Sequence, residues 1–167
     1  MKLVEAKAAF IQTWARLGTE WGISRSMAQV HALLLVSDKA LSTEDVMQEL
    51  QISRGNANMN LRELVTWNLL YRELVPGERR EFFRAEKDIW EVAKRIARER
   101  KRRELEPLLR ELDVLKQVDD PAEPGAQSFV HTVQDIRGFV AKADKGLERM
   151  LQADENWFFG TILKLLK

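Results

Sequence analysis

Side chains that can read the edges of DNA bases are concentrated in one short stretch, residues 53–62. Asparagine can form two hydrogen bonds with adenine in the major groove, and arginine can do the same with guanine. The candidate contact residues are Ser53, Arg54, Asn56, Asn58, Asn60 and Arg62. Asparagine has a low helix propensity, so three of them in one helix need a reason. In an isolated helix, a plain solvent-exposed polar face would be the better explanation.

The stretch lies in the second of two short helical patterns. In the first pattern, Ser42 or Thr43 can cap the helix, and acidic residues follow in its first turn, where the backbone N–H groups lack partners. Residues 51–52 separate this pattern from the second one, residues 54–67, which places Gly55 and Met59 on the same outer face as the candidate contact residues. Its expected inner face consists of Ala57, Leu61, Leu64 and Val65. The spacing predicts a helix-turn-helix.

A strand-like hairpin follows the second helix. Residues 69–75 and 80–85 read as two strands, and residues 76–79, which contain Pro and Gly, read as the turn between them. Arg79 and Arg80 lie at or beside the tip, and Arg84 lies on the return strand. These arginines are candidates for contact with the DNA backbone. The alternative is an ordinary exposed hairpin with solubilising charges.

Helical patterns flank this region on both sides. Residues 1–20 carry an apolar face, and Ser24 or Ser26 starts a second helix that contains His31. Beyond the hairpin we expect a long helix over residues 87–116, a loop over 117–127 and a helix over 128–151. A last helix capped by Asp154 is too apolar to stand uncovered, and a partner subunit is its expected cover.

The predicted long helix contains a proline and a run of charged residues. Pro107 removes a backbone N–H and clashes one turn back, so a kink or break is expected near Arg103 and Glu104. The charged run over residues 98–103 has two interpretations, a solvated helix face or contact with the DNA backbone. Its side chains point around the whole helix, so they cannot all serve one contact.

Composition excludes several classes of function. The chain has no cysteine, which excludes disulfides, cysteine-containing zinc sites and thiol redox sensing. Its formal net charge is only +1, which is weak evidence for binding to nucleic acid. Its two histidines, His31 and His131, are far apart in sequence, and no metal site is expected. We find no catalytic constellation, phosphate-binding loop, signal peptide or membrane span. The sequence therefore predicts a cytoplasmic protein that is not an enzyme, without cofactor and without membrane contact.

Residues 52–96, with "WGISRSMAQVHALLLVSDKALSTEDVMQEL" before them, resemble the MarR-type winged helix, and more closely its GbsR-like branch. The resemblance covers roughly residues 15–115. The resemblance implies a mainly α fold with a small β-hairpin wing. It implies an N-terminal dimerisation helix in residues 1–22, a winged helix-turn-helix in residues 23–86, and a long helix with C-terminal dimerisation helices in residues 87–167. The chain departs from the commoner MarR pattern at Gly55, Asn56 and Asn58, where Ser and Thr are frequent.

The expected function is sequence-specific binding of double-stranded DNA by a homodimeric transcription regulator. One recognition helix per subunit would enter successive major grooves of a pseudo-palindromic operator. The competing interpretation is a winged-helix protein-interaction module that does not bind DNA.

The resemblance also allows a small-molecule effector, whose binding residues are unknown. Some relatives of the GbsR-like branch are linked to choline and osmoprotectant uptake. A quaternary ammonium suits an aromatic cage through cation–π attraction, and four aromatics are candidates: Phe10, Trp14, Trp21 and Trp90. Plain core packing is the more usual role for tryptophans at helical spacing.

Overall fold

The structure, a computed structural model, describes residues 1–153. The helix expected from Asp154 onward lies outside these residues. In chain order the elements are α1 (Leu3–Glu20), α2 (Arg25–Leu35), β1 (Leu41–Ser42), α3 (Thr43–Leu50), α4 (Arg54–Thr66), β2 (Leu70–Glu73), β3 (Phe82–Ala85), α5 (Ile89–Arg100), a π-helical segment (Lys101–Leu105), α6 (Glu106–Leu115) and α7 (Ala126–Gln152). The chain divides into two compact units, the first being Met1–Arg95 and the second beginning at Ile96.

The core of the first unit forms around α2. The Ser24 hydroxyl accepts a hydrogen bond from the Met27 N–H (3.2 Å) and so caps this helix. Helix α1 crosses α2 so closely that a Cβ atom on Gly18 would lie 2.7 Å from the Cβ of Ala28. Glycine is therefore required at this crossing. Residues 1–22, expected as a separate dimerisation helix, thus pack within the same unit as the winged helix.

The helix-turn-helix forms as the sequence predicts, with both caps in place. The Ser42 hydroxyl accepts the Asp45 N–H, and the Asp45 carboxylate accepts the Ser42 N–H in return (2.8 Å). Helix α3 ends at Gln51, which adopts the left-handed conformation with φ of 52°. Ser53 then caps α4 by accepting the Asn56 N–H (3.2 Å). These caps fix the two helix starts.

The wing is shorter than predicted and pairs with an additional strand. Strands β2 and β3 are antiparallel over Leu70–Glu73 and Phe82–Ala85, whereas the sequence indicated residues 69–75 and 80–85. The two-residue strand β1 pairs with the other edge of β3, giving the order β1-β3-β2. Because β1 has only two residues and Ser42 is also the cap of α3, periodicity alone gave no strand signal there. The mostly helical fold with a small sheet is confirmed.

The second unit contains the irregularity expected near Pro107. Instead of a sharp break, residues Lys101–Leu105 form a π-helical segment, in which the Glu106 N–H donates to the Lys101 carbonyl. The wider turn lets the chain continue past a proline that has no N–H of its own. Helix α6 then packs against α7 through Leu112, Val133 and Val140. The bidentate pair between Asp113 and Arg137 (2.7 and 2.9 Å) joins the two helices as well.

The charged run over residues 98–103, which spans the end of α5 and the start of the π-helical segment, is largely engaged in ion pairs within the second unit. Glu99 accepts hydrogen bonds from Arg102 and Arg103, and these bonds lower the pKa of its carboxyl group, Arg102 having the larger effect. The Lys101 ammonium lies 3.1 Å from Asp144, on α7. Partnered side chains of this kind favour the solvated-face interpretation over contact with the DNA backbone.

Residues 1–153 contain no helix that is long and apolar enough to cross a membrane. Within the same residues there is no group of three or more histidine, aspartate or glutamate side chains that could hold a metal ion.

His31 is a buried polar group in the first unit. Only 3% of the residue is exposed, and its ring meets Trp14 edge-on with centroids 5.9 Å apart. Its Nε2 atom has no hydrogen-bond partner among the described residues. Burial, aided by the positive charge of Lys87, lowers the pKa of His31 from 6.5 to about 4. The folded chain therefore holds a neutral imidazole.

This burial predicts acid sensitivity. As the pH falls from 6.5 to 4, the unfolded chain takes up a proton at His31 that the folded chain does not, so the free energy of unfolding should fall. The loss should reach about 3 kcal/mol at the lower end. Urea unfolding at several pH values would measure it. His31→Leu should flatten the curve in this window. A parent-like slope in His31→Leu would refute the assignment.

Candidate nucleic-acid interface

Burial of one side of α4 decides which of its side chains reach solvent. Ala57, Leu61 and Leu64 are fully buried against the rest of the unit. Val65, also predicted on the inner face, is only half-buried. The exposed residues on the opposite side are Ser53, Arg54, Gly55, Met59, Arg62 and Thr66. Asn56 and Asn58 lie at the margins and are half-exposed. The structure thus brings most of the predicted contact residues to one solvent-facing surface.

Asn60 is the exception and requires a correction. The sequence analysis placed it with the candidate contact residues, but it is only 3% exposed. Its amide donates to the Asn56 carbonyl (2.9 Å) and to the Asn56 side-chain oxygen. The physical reason is helical periodicity, because Asn60 lies next to Leu61 and Leu64 on the inward side. The period of 3.6 residues predicts an inward position for residue 60. The polar side chain, one of three nearby asparagines, suggested an outward position instead.

The two remaining asparagines connect α4 to its neighbours. The Asn56 amide donates to the Ser26 hydroxyl at the start of α2 (3.4 Å). Asn58 accepts a hydrogen bond from the Thr43 hydroxyl at the start of α3 (3.2 Å). The side-chain oxygen of Asn58 is therefore partly engaged, and its amide has no partner within residues 1–153. Asn58 is thus better placed than Asn56 to meet an external hydrogen-bonding group.

Arg54 is held at the start of the helix by an ion pair. Its guanidinium lies 2.7 Å from Glu44, in the first turn of α3. The pKa of Glu44 is lowered mainly by its own backbone N–H, with smaller effects from Arg54 and Arg80. Glu44 is therefore a carboxylate on the same face as the cations. Arg62, by contrast, is exposed and forms no ion pair in the described part of the chain.

The three wing arginines have different environments. Arg84 donates to Glu73 across the hairpin (2.8 Å), and this hydrogen bond raises the pKa of Arg84. Arg80 is bound to Glu78 (3.1 Å) and its guanidinium lies 5.4 Å from the centre of the Phe82 ring. Arg79 is fully on the surface of the turn and has no carboxylate partner among residues 1–153. Of the three, Arg79 is the one whose charge is uncompensated.

The base of the wing contains a network that the sequence analysis did not identify. Arg95, on α5, donates to the Tyr71 hydroxyl (2.6 Å) and lies 2.9 Å from Glu86. The Tyr71 hydroxyl in turn donates to Glu86 (2.5 Å). These side chains are distant in sequence, so only the folded chain brings them together. The network fixes the wing to the helix that follows it.

The four aromatic residues considered for an effector cage pack in several different ways. Phe10 and Trp14 stack with centroids 5.7 Å apart, and Trp14 also contacts His31. Trp90 faces the Lys94 ammonium at 6.0 Å, and Trp21 is about half-exposed at the end of α1. Phe10 and Trp14 therefore use their ring faces in packing. An aromatic cage has no support in these contacts.

Comparison with known proteins agrees with this geometry. Residues 20–81 match the sequence profile of the MarR family. The fold is similar to that in a crystal structure of a transcriptional regulator, with a TM-score of 0.67 and 21% identity over 88% of this chain and 96% of that chain. No curated protein matches the chain. The chain thus has a winged-helix fold in which the segment from the end of α1 to the wing matches the MarR family.

Proposed function

We propose that the protein is a sequence-specific transcription regulator that binds double-stranded DNA as a homodimer in the cytoplasm. The observation that carries this proposal is the exposed face of α4, which presents Arg54, Asn58 and Arg62 beside a wing with a free Arg79. An α-helix fits the major groove of DNA, and a wing beside a recognition helix would contact phosphates. The MarR-family match over residues 20–81 supports the same conclusion. Assignment to the GbsR-like branch rests on the sequence resemblance.

Several of these cations are already paired within the chain. Arg54, Arg80 and Arg84 each have a carboxylate partner. Exposed ion pairs of this kind are weak, so phosphates can replace the carboxylates at little energetic cost. The paired state lowers non-specific attraction to DNA, which is consistent with the formal net charge of +1. Specific contacts then have to supply more of the affinity.

The same pairing favours the competing function, a protein-interaction module without DNA binding. Selection of bound duplexes from random DNA decides between the two functions. A regulator should recover a pseudo-palindromic site and release it as salt is raised, because phosphate neutralisation displaces counterions. Recovery of no consensus, together with no retention on DNA at low salt, would reject the proposal and favour the interaction module.

The wing arginines give a matched pair of variants. Arg79→Ala should weaken binding to all sequences and reduce the slope of log affinity against log salt by about 0.9 per subunit. Arg84→Ala should reduce that slope by a smaller amount, since Glu73 competes with phosphate for the Arg84 guanidinium. Fluorescence anisotropy over a salt series would measure both. Equal slopes for the parent chain and Arg79→Ala would mean that this arginine does not contact phosphate.

The dimer proposal rests on an apolar stripe in the second unit. Phe129, Ile136 and Phe139 are exposed on α7, beside the face on which Val133 and Val140 pack against α6. Phe139 is 75% exposed. Exposed apolar residues of this kind are typical of an interface, and a two-fold dimer would bury them against its own copy. The segment after residue 153 is predicted from its apolar sequence to take part in the same dimer.

A charge in the stripe should therefore prevent dimer formation. Phe139→Glu is expected to sediment as a monomer at micromolar concentration and to lose cooperative binding to a two-half-site operator. Gln134→Glu adds the same charge at an exposed position away from the stripe and should remain a dimer. A dimeric Phe139→Glu would place the interface elsewhere. Circular dichroism would verify that both variants stay helical.

A small-molecule effector is compatible with a regulator of this kind, and its binding residues remain unassigned. The dimer would have two states that differ in the spacing of their recognition helices. An effector would act by binding one of these states more tightly than the other.

A further inference from the structure

Two residues without hydrogen-bonding side chains occupy the outer face of α4. Gly55 and Met59 are both exposed, and Met59 is 64% exposed. They are one helical turn apart and therefore neighbours on the surface. Arg62 lies on the same stripe, three residues beyond Met59. A polar recognition surface thus has an apolar strip along its middle.

Packing within the described chain does not explain the glycine. A Cβ atom built on Gly55 would meet no atom within 4 Å, and the residue has ordinary helical backbone angles rather than a positive φ. Glycine inside a helix is up to about 1 kcal/mol less favourable than alanine. Gly18 shows the contrast, because a Cβ there would collide with Ala28. Position 55 therefore leaves the backbone at the start of α4 open to solvent, with no side chain over it.

Helix geometry joins this gap to Met59. Side chains on an α-helix lean towards its N-terminus, so the Met59 side chain is directed towards the Gly55 end of the helix. We call the open space over the Gly55 backbone, together with the exposed Met59 side chain one turn further on, the notch. Methionine is flexible and polarizable, which lets it adapt to a small group that enters the notch.

We propose that this notch receives the C5-methyl group of a thymine in the major groove, which makes Gly55 and Met59 specificity-determining residues. The thymine methyl is the apolar group that the four standard base pairs display in that groove, and apolar side chains recognise it by contact. The inference rests on the proposed DNA-binding function and adds a base preference to it. Each operator half-site should contain a thymine opposite the start of α4.

The first test replaces single thymines of the selected operator with deoxyuridine, which removes the methyl group and leaves base pairing intact. At one thymine per half-site, affinity should fall by about fourfold, the equivalent of one buried methyl group. Uridine at the other positions should have little effect. Equal affinity for thymine and uridine at every position, or a selected site without thymine in its half-sites, would overturn the proposal.

Two variants then assign the effect to the notch. Met59→Ala removes the apolar wall and should bind the thymine and uridine operators equally. Gly55→Ala fills the gap and should also lose the preference, while its thermal stability rises through better helix propensity. Gly138→Ala is the matched control, since Gly138 is likewise helical with open space around its Cβ position. It should gain stability and keep the parent's preference for thymine.

The outcomes separate this inference from the function on which it rests. A chain that shows no salt-dependent retention on any DNA would refute DNA binding itself. A chain that selects an operator and releases it with salt, but keeps the parent's thymine preference in Met59→Ala or Gly55→Ala, would refute the notch alone.

Discussion

The burial of Ala57, Leu61 and Leu64 against the first unit fixes the rotation of α4 about its own axis. A helix that is anchored along one side has no freedom to choose which side chains it presents on the other. Caps at Ser42 and Ser53 fix where the two helices of the motif begin. They thereby fix the position of each outer residue along the helix axis. The composition of the exposed surface is thus a consequence of core packing, and the proposed DNA contacts depend on it.

Most of the positive charges on this surface are paired with carboxylates. The cations at the start of α4 and on the wing are interleaved with Glu44, Glu73 and Glu78, each within ion-pair distance of an arginine. A bare cationic face would bind any duplex, because backbone neutralisation is insensitive to sequence. In the proposed regulator, pairing the arginines would reduce that general attraction and would leave hydrogen bonding and apolar contact to distinguish sequences. The wing is also held rigidly at its base by Arg95, Tyr71 and Glu86.

The second unit combines an irregular helix with a small apolar core. Its long helical stretch contains a proline, and a π-helical segment absorbs the missing hydrogen bond without ending the helical path. Salt bridges on α6 and α7 flank a small apolar core, while one side of α7 stays apolar and exposed. The apolar face of α7 is wider than the part that α6 covers, and its exposed residues are left for the proposed dimer partner.

The sequence by itself determined the order and type of the elements and the helix-turn-helix with its wing. Those signals are local: a serine before a helix, apolar residues at a spacing of three and four, and Pro and Gly in a turn. The same local signals placed Arg54, Asn58 and Arg62 on the outer face of α4. Only the tertiary structure decided that Asn60 is buried, that β1 joins the sheet, and which wing arginine is unpaired. The pairing of β1 with β3 depends on contacts between residues distant in sequence, about which periodicity carries no information. The burial of Asn60 agrees with the helical period, but its polar side chain gave no sign of an inward position.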